Sequence, residues 1–99
     1  MAFQLKFAEE AAKQYSELSQ NKQLEKRFKA VQKALRMLSE NPRHPGLQTH
    51  KYESIVGPNS VEVFEAYAEQ KTPAAHRIFW CYHPPKTKTK TIISIRPHP

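Results

Sequence analysis

The last quarter of the chain, residues 74–99, contains two short β-rich runs with a polar connection between them. The first run covers residues 77–83 and the second covers residues 91–96. The connection carries two prolines followed by alternating lysines and threonines, and it is too polar to continue either strand. If the two runs pair antiparallel, the beginning of the first lies beside the end of the second. This hairpin constrains the fold more than any other feature of the sequence.

The predicted hairpin places His76 and Arg77 at the same end as Arg96 and His98. Arginine suits a phosphate because its planar fork donates two parallel hydrogen bonds, and histidine suits proton transfer because its ordinary pKa is about 6.5. Metal-free RNA cleavage needs these group types: a cation on the scissile phosphate, a base for the 2′-OH and an acid for the leaving oxygen. We therefore predict a phosphate site at this end. The competing interpretation is that Arg77 only packs its stem at a strand end and that His98 frays with the terminus.

Two helices are predicted before this hairpin. Residues 3–7 alternate apolar and polar side chains, as in a short strand, and a helical stripe then continues to residue 19 or 20. Asn21 can cap a second helix, which Asn41 and Pro42 end because a residue before proline disfavours the α region. The apolar stripe of this second helix consists of Leu24, Phe28, Val31, Leu35 and Leu38.

Further strands are predicted over residues 47–54 and 61–70. The order of strand, two helices and then successive strands predicts an α+β fold, with a small antiparallel β-sheet and two N-terminal helices packed on one face. The other sheet face is expected to be at least partly open. A chain of 99 residues is expected to form a single domain, residues 1–99. The side chains expected beside the helical stripe are Ile78, Trp80, Ile93 and Ile95.

Composition favours a polyanionic partner. Lysine and arginine outnumber aspartate and glutamate by 16 to 9, which gives a formal charge of +7 and suggests nucleic acid or an acidic protein segment. The alternative is that a basic surface simply keeps the protein soluble. The two glycines are too few for a Gly-rich phosphate loop.

Other function classes are disfavoured. The single cysteine, Cys81, indicates a reducing compartment, and no apolar run is long enough to cross a membrane, so a cytoplasmic location without membrane contact is predicted. The five histidines have no metal-ligand spacing, and neither a metal nor another cofactor is predicted.

The chain resembles the RelE/ParE superfamily of bacterial toxins through three segments in order: ALRMLSENPRHPGLQTHKYES, AAHRIFWCY and ISIRPHP. The resemblance covers essentially the whole chain, and its C-terminal part is similar to the YoeB branch. It implies the toxin component of a type II toxin–antitoxin system. It further implies a metal-independent endoribonuclease that cleaves mRNA on the ribosome, and an antitoxin as protein partner. Homo-oligomerisation is left open.

The resemblance also implies roles for individual residues. Arg77 matches the strand arginine that contacts the scissile phosphate, His98 matches the catalytic histidine near the C-terminus, and Arg96 would assist electrostatically. Pro99 stands where the YoeB branch has a tyrosine.

Two further groups of that catalytic set are replaced. The segment 61–70 has glutamates where RelE has catalytic lysines, and no acidic residue follows the second helix at the matching place. The candidates for the missing groups are His50, Glu65 and Tyr67.

A second hypothesis keeps the fold but not the nuclease activity. In this hypothesis the chain is a catalytically altered binding protein, either a gyrase inhibitor like ParE members or an antitoxin-paired regulator. Glu62, Glu65 and Glu69 favour it, because negative charge near a phosphate is unfavourable unless it is neutralised.

Overall fold

The computed structural model describes residues 3–97. The helices and strands are, in chain order, β1 (Gln4–Phe7), α1 (Glu9–Gln20), α2 (Glu25–Glu40), β2 (His50–Lys51), β3 (Phe64–Tyr67), β4 (His76–Tyr82) and β5 (Thr89–Pro97). Short 3₁₀ turns at Lys22–Leu24, Pro45–Leu47 and Pro58–Ser60 lie in the connections. Both helices precede the hairpin of β4 and β5, as predicted.

The sheet has five strands in the order β1-β5-β4-β3-β2. The predicted α+β class with helices against the sheet is confirmed. One strand pair differs from the prediction of an antiparallel sheet, because β1 runs parallel to β5 while the other neighbours are antiparallel. Parallel neighbours need a long crossover connection, and the part of the chain between β1 and β5, which includes both helices, supplies it.

The helix ends follow local chemistry. Glu9 and Glu10 lie in the first turn of α1, where acidic side chains complement the helix dipole. The Asn21 side chain accepts a hydrogen bond from the Gln23 N–H at 3.0 Å, so it caps the 3₁₀ turn rather than α2 itself. Within residues 3–97, no helix has both the length and the apolar character that are needed to cross a membrane.

The sheet face away from the helices, which was expected to be at least partly open, is largely covered: Phe79 and Ser94 on it are at most 1% exposed, and the Tyr52 ring lies 4.9 Å from the Phe79 ring. The main core lies between the helices and the other sheet face. Its buried members include Ala11, Leu18, Val31, Leu35, Leu38, Ala66, Ile78, Trp80, Ile92 and Ile95. The prediction for Ile93 was wrong, since Ile92 packs in this core instead. A register shift between β4 and β5 pairs Ser94 with Phe79 but Ile92 with Trp80, which leaves Ile93 as the extra residue of a β-bulge. The bulge breaks the alternation on which the prediction depended.

Two strands are shorter than predicted. Within residues 47–54 only His50 and Lys51 pair, because the preceding 3₁₀ turn buries Leu47 and Gln48 then adopts a left-handed conformation with φ of 46°. Within residues 61–70 only Phe64–Tyr67 forms a strand. The edge strand β2 therefore contributes little more than one pair of residues to the sheet.

Glu69 connects α2 to the turn between β3 and β4. Its carboxylate accepts hydrogen bonds from Arg27 Nε at 2.7 Å and from the His76 N–H at 3.0 Å. Burial alone would raise the pKa of Glu69, but the His76 N–H and the Arg27 guanidinium outweigh it and hold the pKa below its ordinary value. Burial also lowers the pKa of the His76 imidazole.

We expect the protein to lose stability in acid through these two groups. Both bind a proton less readily in the folded chain than in the unfolded chain. The free energy of unfolding should therefore fall as the pH drops below about 6.5, because His76 becomes protonated in the unfolded chain. It should fall again below about 4.3, because Glu69 becomes protonated in the unfolded chain. Urea unfolding at pH 7, 5.5 and 3.5 measures this effect. Between pH 5.5 and 3.5, Glu69→Gln should lose less unfolding free energy than the wild type. Glu62→Gln, which removes an exposed partner of Lys51, is the matched control. Equal acid slopes for both variants would contradict the assignment.

Lys90 is a buried cation on β5. Lys90 is 0% exposed. Its Nζ lies 2.9 Å from the ring centroid of Phe3, 5.6 Å from that of Trp80 and 5.5 Å from that of Tyr82. Nζ has no hydrogen-bond partner in the described part of the chain. Burial lowers the pKa of Lys90 to about 8. The rings offset only part of the lost hydration, because a cation–π contact is weaker than the solvation of an ammonium.

We expect Lys90→Met to raise the free energy of unfolding at pH 7 by roughly 2 kcal/mol, because it removes a desolvated charge and keeps the volume. The folded pKa lies below that of the unfolded chain, so the cost of the charge disappears as the pH rises through 8 towards 10.5. The advantage of the variant should therefore shrink at pH 10, which urea titrations at the two pH values will measure. A less stable variant at pH 7 would contradict this account.

Candidate functional site

The sheet face away from the helices carries most of the residues proposed from the sequence. Phe64 and Ala66 of β3 point to the core, so Glu65 and Tyr67 point to the opposite face. The strand pairing sets His50 of β2 against Glu65, and Tyr67 against Arg77 of β4. Four of the predicted site residues thus lie together, and we call this group the far-face cluster: His50, Glu65, Tyr67 and Arg77.

Arg77 is held from several sides. Its Nη1 donates a hydrogen bond to the Glu69 carbonyl oxygen at 2.6 Å, and its guanidinium carbon lies 3.7 Å above the Tyr67 ring centroid. Its Nε lies 3.9 Å from Oε2 of Glu65 and has no hydrogen-bond partner among residues 3–97. The guanidinium is therefore fixed in orientation by stacking and by one hydrogen bond.

Glu65 is a buried carboxylate, 1% exposed. Its Oε1 lies 2.7 Å from Nε2 of His50, whose side chain is 47% exposed. Nδ1 of the same imidazole lies 2.8 Å from the Gln48 carbonyl oxygen. Both ring nitrogens thus face oxygen atoms. In this geometry Glu65 lies between His50 and the Nε edge of Arg77.

Arg96 lies beside the cluster. It pairs directly with Arg77 across β4 and β5, and its guanidinium carbon lies 4.9 Å from the Phe79 ring centroid. Its Nε donates a long hydrogen bond of 3.4 Å to the Ser94 hydroxyl. Side chains directly opposite each other in a sheet have Cβ atoms about 5 Å apart, and like charges at that separation repel. A site with two opposed arginines is therefore stabilised by an anion.

The structure brings most of the predicted site residues together. His50, Glu65, Tyr67 and Arg77 are in contact, and Arg96 is the cross-strand neighbour of Arg77. His98 lies outside the described residues.

Three supporting groups were missed from the sequence. These are the carbonyl groups of Gln48 and Glu69 and the Phe79 ring under Arg96. Backbone carbonyls carry no sequence signal, and Phe79 was visible only as one aromatic residue among several. Among residues 3–97, no three His, Cys, Asp or Glu side chains gather as a group that could hold a metal ion.

The chain was compared with known proteins. No protein-family model matches it, and no curated protein matches it by sequence. A solved structure of the YoeB dimer from Staphylococcus aureus matches it over 100% of both chains, with a TM-score of 0.67 and 16% sequence identity. The chain has the fold of that YoeB structure. At this identity the likeness concerns the backbone arrangement, and each side chain has to be argued from its own contacts.

Proposed function

We propose that the chain is the toxin of a type II toxin–antitoxin system and a metal-independent endoribonuclease that cleaves mRNA on the ribosome. The observation that carries this proposal is the direct pairing of Arg77 with Arg96 on the sheet face away from the helices. Two paired arginines, one of them fixed by the Tyr67 ring and the Glu69 carbonyl, favour a phosphodiester. The shared fold with YoeB, a toxin of the RelE superfamily, supports the same proposal.

In the proposed mechanism the two arginines bind the scissile phosphate. Negative charge grows on the phosphoryl oxygens when the 2′-OH attacks, and preorganised donors stabilise this charge without reorganising. Arg77 is the better ordered of the two, because the Tyr67 ring and the Glu69 carbonyl fix its plane. Arg96, stacked on Phe79, contributes the second positive charge.

Proton transfer is assigned to His98, which matches the histidine of the YoeB-like ending. His50 has a different role, because both of its ring nitrogens already face acceptors. We assign to His50 and Glu65 the positioning of Arg77, and to Tyr67 the stacking surface beneath it. A histidine with an ordinary pKa near 6.5 can serve as base and as acid at neutral pH.

The proposed partners follow from charge and fold. The formal charge of +7 favours approach to the ribosome and to mRNA, and an antitoxin would bring acidic side chains towards Arg77 and Arg96. The proposed location is the cytoplasm.

Induced expression with mapping of RNA 5′ ends tests this function. Wild type should arrest growth and produce new ends within translated messages, and Arg77→Ala should produce neither. Growth arrest without new RNA ends would overturn the nuclease assignment.

One observation favours a second candidate, a binding protein such as a gyrase inhibitor or an antitoxin-paired regulator. Within the far-face cluster, the described histidine, His50, already contacts Glu65 and the Gln48 carbonyl. Under this alternative the arginines bind an acidic partner and no bond is broken. Growth arrest that occurs without RNA cleavage and persists in His98→Gln would support it.

A further inference from the structure

A cavity lies on the helix side of the sheet, away from the far-face cluster. Its volume is about 420 Å³, and it opens between the connector of residues 42–49 and the ends of β3 and β4. Phe64, Trp80 and Tyr82 line one wall. The opposite wall carries Arg43 and His44. The volume falls in the range of small-molecule sites, which is about 300–1,000 Å³.

The aromatic wall forms a corner. The Phe64 and Trp80 rings are stacked with centroids 4.9 Å apart, and the Tyr82 ring stands at 79° to each of them. Tyr82 is 44% exposed, which is unusual for so large an apolar surface. Trp80 is buried, yet its Nε1 has no hydrogen-bond partner within residues 3–97. The atom is inaccessible, so a ligand in this cavity would meet the exposed Tyr82 ring and the half-buried Phe64 ring.

The basic wall offers hydrogen-bond donors to a ligand. The His44 Nδ1 accepts a hydrogen bond from the Gly46 N–H at 2.9 Å, so a neutral His44 carries its proton on Nε2 and can donate there. Arg43 is exposed and makes no ion pair within the described residues. The Thr49 hydroxyl bonds the Pro42 carbonyl oxygen at 3.3 Å and ties the two ends of the connector together. The connector therefore holds two donors opposite a flat apolar corner.

We propose that this cavity binds a nucleotide, with the base stacked on Tyr82 beside Phe64 and the phosphate at Arg43 and His44. A planar base fits a wall that offers exposed aromatic surface, and aromatic stacking is a general mode of base binding. The charge of the opposite wall selects a phosphate over a neutral aromatic molecule. The same chemistry describes a free nucleoside monophosphate and one nucleotide of a single-stranded RNA. The inference does not depend on the proposed RNA cleavage, because the two sites lie on opposite faces of the sheet.

Trp80 is the only tryptophan of the chain, so its fluorescence reports on this cavity directly. Titration of the intact protein with AMP, CMP, adenosine and a short oligo(A) RNA should quench the emission in a saturable way. Arg43→Ala should weaken AMP binding about tenfold and leave adenosine binding unchanged, because only the phosphate contact is lost. Tighter binding of oligo(A) than of AMP indicates an RNA strand as the ligand, and equal binding indicates a free nucleotide.

Further variants distinguish a lost ligand contact from a misfolded protein. Tyr82→Ala should weaken AMP and adenosine alike by about tenfold or more, whereas Tyr82→Phe should bind normally. Arg36→Ala on the exposed side of α2 is the matched control for charge and should bind AMP as wild type does. Circular dichroism confirms the fold of each variant. Absence of quenching by all four ligands, or equal affinities in wild type, Arg43→Ala and Tyr82→Ala, would overturn the proposal.

Discussion

Arg77→Ala is expected to lower the rate of RNA cleavage on programmed ribosomes by about a hundredfold. The variant loses the charge-assisted donors that would bind the phosphoryl oxygens, and such contacts are typically worth about 3 kcal/mol in the transition state. Arg77→Lys keeps the charge but loses the planar fork and its stacking on Tyr67, so we expect an intermediate rate. Single-turnover cleavage at saturating protein separates this effect from ribosome binding.

Two controls accompany this experiment. Arg36→Ala removes an exposed arginine from α2 and should cleave at the wild-type rate. Arg77 also bonds the Glu69 carbonyl and lies beside the buried Glu65, so its truncation is expected to lower the free energy of unfolding by about 3 kcal/mol, and the assay temperature must stay below the transition of the variant. A folded Arg77→Ala protein with the wild-type rate would remove Arg77 from the mechanism.

The second large effect is expected at Glu65. Replacing it with glutamine should lower the free energy of unfolding at pH 7 by about 3 kcal/mol, because the largely buried Arg77 would lose its negative partner and His50 would lose the carboxylate at 2.7 Å. Glu62→Gln removes an exposed pairing with Lys51 and should change stability by less than about 1 kcal/mol. Urea unfolding of both variants measures the difference.

A double-mutant cycle isolates the contact with His50. His50→Gln alone and Glu65→Gln alone each break the same pair, so the double variant should be more stable than the sum of the two losses predicts, by about 1–3 kcal/mol. Additive losses would show that Glu65 is held by other contacts and that His50 is not its partner. Cleavage by His50→Gln should fall less than cleavage by Arg77→Ala, since its proposed role is to position Arg77.

The hairpin was predictable because its signals are local. Two β-rich runs and a polar connection implied antiparallel pairing, and the register then set Arg77 opposite Arg96. The helices were predictable from apolar stripes of helical period and from the proline after Asn41. For these elements, local preference and tertiary packing favour the same structure.

The remaining part of the site depends on tertiary structure. The bulge at Ile93 and the left-handed Gln48 are single-residue events that shift side chains without changing the composition of a segment. A glutamate in a short strand is normally exposed, and Glu65 is buried only because a two-residue edge strand brings His50 against it. The burial of Lys90 among aromatic rings is likewise set by its neighbours on β1 and β4.

The central claim, cleavage of RNA by protein side chains alone, is tested most directly with a defined message on the ribosome. A chelator is added, and the Mg²⁺ activity is kept just sufficient for an intact ribosome. Under these conditions the wild-type protein should cut an all-ribose message. It should leave intact the same message with a single 2′-deoxynucleotide before the scissile phosphate, because the 2′-OH is the proposed nucleophile. Cleavage of the deoxy-substituted message at the same position, or no cleavage of either message, would contradict the account.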